Sequence, residues 1–249
     1  MSNLVAGKLA FVTGAGSGIG RAVCRVLARE GAQVIATDQN IKTAEETVST
    51  LTGTGHLSLE IDVSSSQSVD NVLKKTLDTF AKPPTIVVNS AGITRDNFLL
   101  KLDENDFDRV LQVNLRGTFL VIQKIVNILI EAKQSNGTSI VNMGSIIGKF
   151  GNIGQVNYGA SKAGVENITK TAAAEFGKFG VRVNTVLPGF ISTPMTDVVP
   201  DKIKEIFMNK IALRRLGKPE EVAELVLFLA SDRSSYINGA SIEITGGMN

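Results

Sequence analysis

The stretch Thr13–Gly20, TGAGSGIG, decides the fold, because it stands between a short apolar run, Leu9–Thr13, and a segment with helical apolar spacing. Four of its eight residues are glycines: Gly14, Gly16, Gly18 and Gly20. Glycine lets a strand-to-helix turn close tightly and lets backbone amides approach an anion at the helix N-terminus. A glycine-rich turn in this position is typical of α/β folds that bind a dinucleotide, whose pyrophosphate would meet those amides.

Six further short apolar runs follow along the chain, separated by segments with helical spacing. Together with the first run they are predicted as seven strands: Leu9–Thr13, Val34–Thr37, Leu57–Ile61, Ile86–Val88, Ser139–Met143, Val181–Leu187 and Ala240–Ile244. Strands that alternate with helices pair in parallel, and runs that are almost wholly apolar are expected where helices cover both faces of a sheet. We therefore predict an α/β fold, a single doubly wound Rossmann domain over residues 1–249 with a seven-stranded parallel sheet.

Composition excludes several classes of function. The net charge is +2, from 26 Lys and Arg against 24 Asp and Glu, so no basic field favours nucleic acid. The apolar stretches are too short or too interrupted by polar residues to predict a membrane span. Cys24 is the only cysteine and His56 the only histidine, so neither a disulfide nor a metal site is predicted.

The compartment stays open between the cytoplasm and the mitochondrial matrix. A single cysteine suits a reducing environment, and the first arginine is Arg21, so no arginine-rich presequence is visible. An internal or uncleaved signal would escape this test.

Polar residues follow the second, third and fourth predicted strands. Asp38 comes directly after Thr37, Asp62 after Ile61, and Asn89–Gly92 (NSAG) after Val88. Ligands of open α/β sheets bind outside the carboxyl ends of the strands, so these loops are expected to form one cleft with the glycine-rich turn. Asp38 is placed to accept hydrogen bonds from the adenosine ribose hydroxyls, and Asp62 to contact adenine.

Asp38 also predicts NAD rather than NADP as cofactor. A 2′-phosphate would put further negative charge beside this carboxylate, and its neighbours Thr37, Gln39 and Asn40 carry no cation. Ser17 stands where NADP-dependent enzymes often carry a basic residue. The alternative is that Asp38 merely caps the next helix.

Ser145, Tyr158 and Lys162 form the constellation that predicts catalysis. Tyr158 and Lys162 are four residues apart and share one face of a helix. A phenol ordinarily titrates near 10, and a neighbouring ammonium is expected to lower its pKa towards the range useful for acid/base work. Isolated Tyr and Lys at this spacing are usually solvated surface, so the assignment depends on Ser145 and on the glycine-rich turn.

The chain resembles the short-chain dehydrogenase/reductase family through TGAGSGIG, NSAG, Asn114, Ser145, the run YGASK from Tyr158, and Pro188–Thr193. The resemblance implies a catalytic tetrad: Asn114, Ser145, Tyr158 and Lys162. It also implies hydride transfer between the cofactor and a carbonyl or alcohol carbon. Ser145 would bind the substrate oxygen, Tyr158 would protonate it, Lys162 would hold the nicotinamide ribose, and Asn114 would position a water.

The same resemblance implies a full set of cofactor-binding positions along the cleft. Ile191 and Thr193 would hold the nicotinamide carboxamide. The complete set is Gly14, Gly16, Ser17, Gly18, Ile19, Gly20, Asp38, Asp62, Val63, Asn89, Ala91, Gly92, Tyr158, Lys162, Pro188, Gly189, Ile191 and Thr193. Ser90 departs from the pattern, since asparagine is common there.

Three longer segments resemble 3-oxoacyl thioester reductases: AGITRDNFLLKL from Ala91, GKFGNIGQVNYGASKAG from Gly148, and LPGFISTPMT from Leu187. Reductases that use a carrier protein have two arginines for docking, which align here with Asn136 and Phe179. The resemblance therefore implies an acyl thioester of coenzyme A, interconverted between its (3R)-3-hydroxy and 3-oxo forms, or a 17β-hydroxysteroid such as estradiol. A steroid or other secondary-alcohol dehydrogenase without an acyl role remains an alternative.

A third alternative is a non-catalytic protein that senses dinucleotides and interacts with partners. Such a protein would be expected to lack Tyr158 or Lys162, and both are present.

Two structural expectations complete the prediction. Pro188 to about Pro200 is read as a long irregular stretch and, extended to about residue 209, as a mobile substrate lid. The apolar helices expected at about Asp106–Ala132 and Asn157–Lys178, with the family resemblance, imply a homotetramer, or a heterotetramer with a related reductase.

Overall fold

The structure, a computed structural model, describes residues 3–197 and 199–248. Seven strands run through these residues: β1 (Leu9–Thr13), β2 (Gln33–Asp38), β3 (Leu57–Glu60), β4 (Ile86–Asn89), β5 (Thr138–Met143), β6 (Val181–Pro188) and β7 (Ser241–Ile244). They form one parallel sheet in the order β3-β2-β1-β4-β5-β6-β7. The predicted doubly wound seven-stranded fold is confirmed, with strand bounds within one residue of those expected.

Helices connect the strands and cover both faces of the sheet. In the described part of the chain they are α1 (Gly18–Arg29), α2 (Ile41–Ser49), α3 (Ser66–Phe80), α4 (Glu104–Leu111), α5 (Gly117–Glu131), α6 (Ile146–Phe150), α7 (Val156–Phe176), α8 (Pro194–Asp197), α9 (Asp201–Lys210) and α10 (Pro219–Ala230). A π-helical turn, Gln112–Arg116, joins α4 to α5 without a break. The two long predicted helices are thus present.

The core has two apolar layers, one on each face of the sheet, because neighbouring strand residues point to opposite faces. Val12 of β1 packs with α1 and α10, whereas the preceding Phe11 packs with α3, α5 and α7. Burying each large apolar side chain of this kind stabilises the fold by about 1.5–3 kcal/mol. Cys24 is fully buried in the first layer, where burial raises the pKa of its thiol, as expected for a packing residue.

The continuous helical segment Glu104–Glu131 is, among the described residues, the one stretch that length and composition alone would allow to cross a membrane. More than half of its most apolar window, 56%, is buried inside the domain. Val121, Ile125 and Leu129 are fully buried there in the core layer that contains Phe11. Packing against the sheet therefore accounts for the apolar character of this segment.

The stretch after β6 differs from the sequence prediction. It was expected to be irregular from Pro188 to about Pro200, but it contains the one-turn helix α8 and leads into α9. The ring of Phe190 stacks on Phe207 of α9 with centroids 4.8 Å apart, so α9 is anchored to the end of β6. Short helices of this kind are held by such tertiary contacts rather than by a strong periodic pattern.

Candidate active site

A cleft of about 430 Å³ lies along the carboxyl ends of the strands. Most of the predicted site residues line it: Gly14, Ser17, Gly18, Ile19, Gly20, Asp38, Asp62, Val63, Ala91, Gly92, Ser145, Tyr158, Lys162, Pro188, Gly189, Ile191 and Thr193. Gly16, Asn89 and Asn114 are the predicted residues that do not. The loops that the sequence placed at one sheet edge are thus brought together.

The glycine-rich turn leaves no room for side chains beneath the cleft. Gly14 has φ +65°, and a Cβ built on it would lie 2.8 Å from the Cα of Ala91. A Cβ on Gly16 would lie 2.8 Å from the Asp38 carboxylate, so Gly16 supports Asp38 through its backbone rather than lining the cleft. Ser17 makes no side-chain capping bond to α1. The start of α1 therefore fits an anionic pyrophosphate, which its amides and dipole favour.

Asp38 is held at the end of β2 by two backbone donors. The amide of Gly16 donates to its Oδ2 at 2.9 Å, and the amide of Asn40 donates to its Oδ1 at 3.0 Å. The side chain that caps α2 is that of Asn40, which accepts from the amide of Lys42. Capping therefore does not explain Asp38, whose carboxylate lines the cleft with acceptor capacity to spare.

Arg21 brings a cation closer to this corner than the residues next to Asp38 suggested. Its guanidinium donates to the carbonyl of Gly16 and to Thr47, and it pairs with Glu46 at 3.2 Å. The Arg21 guanidinium thus points towards α2, where the Glu46 carboxylate partly balances its charge. It does not point to the side of Asp38 that lines the cleft.

Asn89 points into the sheet instead of into the cleft. Its Nδ2 donates to Oδ1 of Asn142 at 2.8 Å, and its side chain is buried. In the structure this side chain links β4 to β5, and its contact with cofactor stays a prediction. The next two residues are fixed separately, because Thr13 Oγ1 accepts from the amides of Ser90 and Ala91, both at 3.1 Å.

Asn114 lies in the π-helical turn and is fully buried. Its Oδ1 accepts from the amide of Ile93 at 2.8 Å, and its Nδ2 donates to the carbonyl of Ile93 at 3.0 Å and to Ser161 Oγ at 3.1 Å. Both amide hydrogens are used, so the side chain ties the NSAG loop to α7. π-turns of this kind are frequent at functional sites, where they displace one residue of a helix.

Ser145, Tyr158 and Lys162 meet at one end of the cleft. Ser145 precedes α6, while Tyr158 and Lys162 project from one face of α7. The Lys162 Nζ lies 5.6 Å from the centre of the Tyr158 ring and donates to the carbonyl of Met143 at 2.7 Å. Burial lowers the pKa of Lys162 to about 8, because no carboxylate offsets the loss of solvent.

The phenol behaves differently from the sequence prediction. Burial raises the pKa of Tyr158, a hydrogen bond with Ser145 lowers it, and the negative charge of Asp96 raises it further. The net direction is upward, opposite to the lowering that the sequence predicted from Lys162. A positive charge next to the phenol is needed to bring the group into working range.

Several residues that line the cleft were missed by sequence reasoning: Gln39, Ile61, Ile93, Arg95, Arg109, Val113, Met143 and Gly144. Four others lie in segments that the sequence did predict, Ser90 in the NSAG loop and Pro194, Met195 and Thr196 in the lid. Ile61 and Met143 stand at strand ends, so the rule on carboxyl ends would have found them. Arg109 belongs to no sequence motif and reaches the cleft from its position in α4. In the described part of the chain no group of three or more His, Cys, Asp or Glu side chains is arranged to hold a metal ion.

The family model described as "Enoyl-(Acyl carrier protein) reductase" matches residues 14–249. With the glycine-rich turn, the seven-stranded sheet and the Ser145, Tyr158 and Lys162 arrangement, this match defines the class of protein. The chain belongs to the short-chain dehydrogenase/reductase family and is an oxidoreductase. Enzymes of this family use nicotinamide dinucleotides.

Relatives of known activity match over almost their whole length. The human (3R)-3-hydroxyacyl-CoA dehydrogenase is 49% identical, covering 100% of this chain and 98% of that protein. The 3-oxoacyl-[acyl-carrier-protein] reductase of Thermotoga maritima is 46% identical, covering 97% of this chain and 98% of that protein.

A crystal structure described as ribose-5-phosphate isomerase from Brucella melitensis 16M superimposes with a TM-score of 0.91. It is 33% identical and covers 99% of this chain and 94% of its own. The name on that structure belongs to another class of reaction, so the fold alone does not fix the chemistry.

The electrostatic arrangement around Tyr158 predicts a shift in pH dependence. With Tyr158 as the predicted proton acceptor in alcohol oxidation, activity is expected to rise as the phenol loses its proton. Asp96→Asn removes a negative charge that raises the pKa of Tyr158, and the rising limb of the kcat/KM profile is expected to move to lower pH.

The matched control is Asp106→Asn, which removes a carboxylate that pairs with Arg95 at 3.8 Å. Profiles are measured at fixed ionic strength for the wild type and both variants. A limb that moves to higher pH in Asp96→Asn, or moves equally in both variants, would contradict the role given to Asp96.

Proposed function

We propose that the chain interconverts (3R)-3-hydroxyacyl and 3-oxoacyl thioesters with NAD(H), in fatty acid metabolism. The observation that carries the proposal is the meeting of Ser145, Tyr158 and Lys162 at the end of a cleft whose other end begins at a glycine-rich turn. The human and Thermotoga relatives, named for these two thioester reactions, support the choice of substrate. Proteins that lack cysteine pairs suit reducing compartments, and we propose the cytoplasm or the mitochondrial matrix.

In this mechanism the chain's own groups hold the substrate oxygen and manage one proton. Ser145 and Tyr158 both reach that oxygen, and in reduction Tyr158 protonates it as charge develops there. Bound nicotinamide supplies or accepts the hydride. Lys162, held by the Met143 carbonyl, would donate to the nicotinamide ribose hydroxyls. Its charge favours the phenolate that Tyr158 becomes when it gives up its proton in reduction, and a proton from solvent then restores the phenol.

Asn114 supports the proton path indirectly. Its side-chain amide is already engaged by Ile93 and Ser161, so Asn114 would act by holding these neighbours in place. Ser161 Oγ in turn donates to the carbonyl of Tyr158 at 2.7 Å, which links Asn114 to the helix that carries the proton donor.

We propose the segment from about residue 188 to 209 as the substrate lid. Met195, Ile203 and Ile206 are exposed on it, and Met195 lines the cleft beside Ile191 and Thr193. Apolar side chains at this mouth suit an acyl chain, because closing the lid over it would remove both from water.

Coenzyme A is proposed as the thioester carrier because Asn136 and Phe179 replace the docking arginines of carrier-protein reductases. The two positions are neighbours, since Ser135 Oγ donates to the carbonyl of Phe179 at 2.8 Å. Lys178 lies with its Nζ 5.1 Å from the Phe179 ring, so one cation remains beside the site. This lysine favours an acyl-carrier-protein thioester as the second candidate substrate.

The proposed activity predicts that acetoacetyl-CoA is reduced, and (3R)-3-hydroxybutyryl-CoA oxidised, with a higher kcat/KM than estrone and estradiol respectively. Acetoacetyl-carrier protein is assayed beside them to compare the two thioesters. Tyr158→Phe is expected to keep dinucleotide binding and to lower turnover by at least about 10²-fold, because general acid catalysis contributes roughly 10²–10⁴-fold.

Two results would count against this activity. A kcat/KM for estradiol above that for the acyl thioester would show that a steroid, not an acyl thioester, is the preferred substrate. Tyr158→Phe activity within tenfold of the wild type would show that Tyr158 is not the proton donor. Thermal melts of the variant exclude misfolding as the cause of a loss.

NAD(H) is proposed over NADP(H) because Asp38 faces the cleft while the nearest cation, Arg21, is turned to Glu46. A charge pair at about 5 Å is worth roughly 3 kcal/mol at an effective dielectric near 20, reduced by solvent to about 1–3 kcal/mol. We therefore expect wild-type kcat/KM to favour NAD by about 5- to 150-fold. Asp38→Asn keeps the shape but removes the charge, and its single amide oxygen can accept from only one of the two backbone amides. It should narrow the preference for NAD.

The measurement is kcat/KM for both cofactors in the wild type, Asp38→Asn and Asp38→Ala. Equal losses for both cofactors in the variants would mean that Asp38 acts only in local folding. A wild-type preference for NADP would show the charge argument to be wrong.

We propose that the chain assembles as a homotetramer, or as a heterotetramer with a related reductase. Two adjoining loops expose apolar side chains, joined where the amide of Asn97 donates to the carbonyl of Gly154 at 2.9 Å. The exposed residues of this surface are Phe98, Leu99, Leu100, Phe150, Ile153 and Val156. Exposed apolar patches of this extent mark interaction sites, and the patch reaches α7 at Val156.

Assembly predicts that the purified chain sediments as a tetramer at micromolar concentration. Ile153→Lys places a charge in the patch and should shift the protein to smaller species. Thr54→Lys, on an exposed loop before β3, is the matched control and should not. A wild-type monomer at micromolar concentration would contradict self-assembly.

A further inference from the structure

Ser64, directly after the Asp62–Val63 pair in the cleft, is held by two arginines from the long helical segment. Arg109 Nη1 donates to the Ser64 hydroxyl at 3.1 Å, and Arg116 Nη1 donates to its carbonyl at 2.5 Å. Arg109 stands in α4 and Arg116 at the end of the π-turn, seven residues later. Residues seven apart lie close to one face of a helix, so both guanidinium groups reach the same serine.

The hydrogen bonds around Ser64 have a direction. A hydroxyl has one proton, and that of Ser64 is given to Asp62 Oδ1, 2.6 Å away. Arg109 has only donors, so it binds a lone pair of the same oxygen. The bonds therefore run from Arg109 to Ser64 and from Ser64 to Asp62.

Asp62 is oriented by this arrangement. Its Oδ1 accepts from both the hydroxyl and the amide of Ser64, the latter at 2.9 Å, while its own amide donates to Ser68 Oγ at 3.0 Å. These bonds fix the plane of the carboxylate. Oδ2 has no partner of this kind and is the oxygen available to a ligand in the cleft, which Asp62 lines.

The surrounding packing keeps the loop in place. A Cβ built on Gly117 would lie 2.8 Å from Val63 Cγ2, so the start of α5 sits directly against the loop. Lys124, two turns further along α5, pairs instead with Asp70 of α3 at 2.5 Å and lies outside the cleft.

We propose that Arg109 is a positioning residue that acts through Ser64 to aim the Asp62 carboxylate at the 6-amino group of adenine. The inference rests on the proposed function, dinucleotide binding in this cleft, and on the sequence prediction that Asp62 contacts adenine. A carboxylate accepts a hydrogen bond from an amino group and repels a carbonyl oxygen at the same place. Arg109 would thus contribute to choosing adenine over a 6-oxo purine without touching the base.

The test compares binding of NADH with binding of reduced nicotinamide hypoxanthine dinucleotide, which carries a carbonyl oxygen in place of the 6-amino group. Dissociation constants are measured by calorimetry, so no substrate is needed. Wild type is expected to bind NADH more tightly than the analogue. Arg109→Met should weaken NADH binding by about five- to tenfold, the effect of one misplaced hydrogen bond, and change the analogue by less than about twofold.

A double-variant comparison checks that Arg109 acts through Ser64. Ser64→Ala should also reduce the discrimination, and Ser64→Ala/Arg109→Met should bind no more weakly than Ser64→Ala alone, because interactions along one path are not additive. Arg109→Lys, which keeps a donor, should retain part of the discrimination. Lys124→Met removes a cation from the same helical segment and should leave both dissociation constants unchanged.

Each other outcome overturns the proposal. Equal weakening of both dinucleotides by Arg109→Met would show direct contact with a shared part of the ligand, and additive losses in the double variant would show that Ser64 does not carry the effect. Wild type that binds both dinucleotides equally would overturn this inference alone. Wild type that binds neither would overturn the proposed cofactor site as well.

Discussion

Parallel backbone pairing across the sheet brings the carboxyl ends of its strands to one edge and fixes their relative heights. Thr13, the last residue of β1, is paired with Thr37 of β2 on one side and with Asn89 of β4 on the other. The loops that leave these strands therefore begin at one level, and a hydroxyl of the central strand can bond to the neighbouring loop at Ser90 and Ala91. Because of this alignment, residues far apart in sequence line one cleft.

A second consequence concerns the cation buried beneath the phenol. Removing an ammonium from water is costly, and the Lys162 Nζ recovers part of that cost from the Met143 carbonyl at the end of β5. Two turns further along α7, Thr169 Oγ1 hydrogen-bonds to β5 and β6: it accepts from Asn142 at 2.8 Å and lies 2.6 Å from the Thr185 hydroxyl. Strands β5 and β6 thus set the position of α7, and α7 sets the spacing of Tyr158 and Lys162.

The sequence predicted what local pattern determines and missed what distant contacts determine. Apolar runs located the strands, and glycine spacing located the turn before α1, because both are properties of neighbouring residues. Arg109 could not be found this way, since its place in the cleft depends on the path of a helix past a loop 45 residues earlier. The raised pKa of Tyr158 was missed for a related reason: its largest cause is burial, which depends on the assembled fold and cannot be seen from the lysine one turn away in sequence.

The two sides of the cleft differ in how many contacts hold their side chains in place. On the cofactor side, Gly14, Asp38 and Asp62 are fixed by backbone contacts and short hydrogen bonds within the sheet and its first loops. On the side proposed for substrate, α8 lines the cleft and α9 follows it, and Met195, Ile203 and Ile206 of these helices are exposed. A rigid wall suits a ligand of constant shape, whereas a wall with exposed apolar side chains and a single stacked anchor can adjust to acyl chains of different length. Under the proposed function, substrate choice would depend on residues that the sheet does not constrain, which agrees with one fold having relatives named for different reactions.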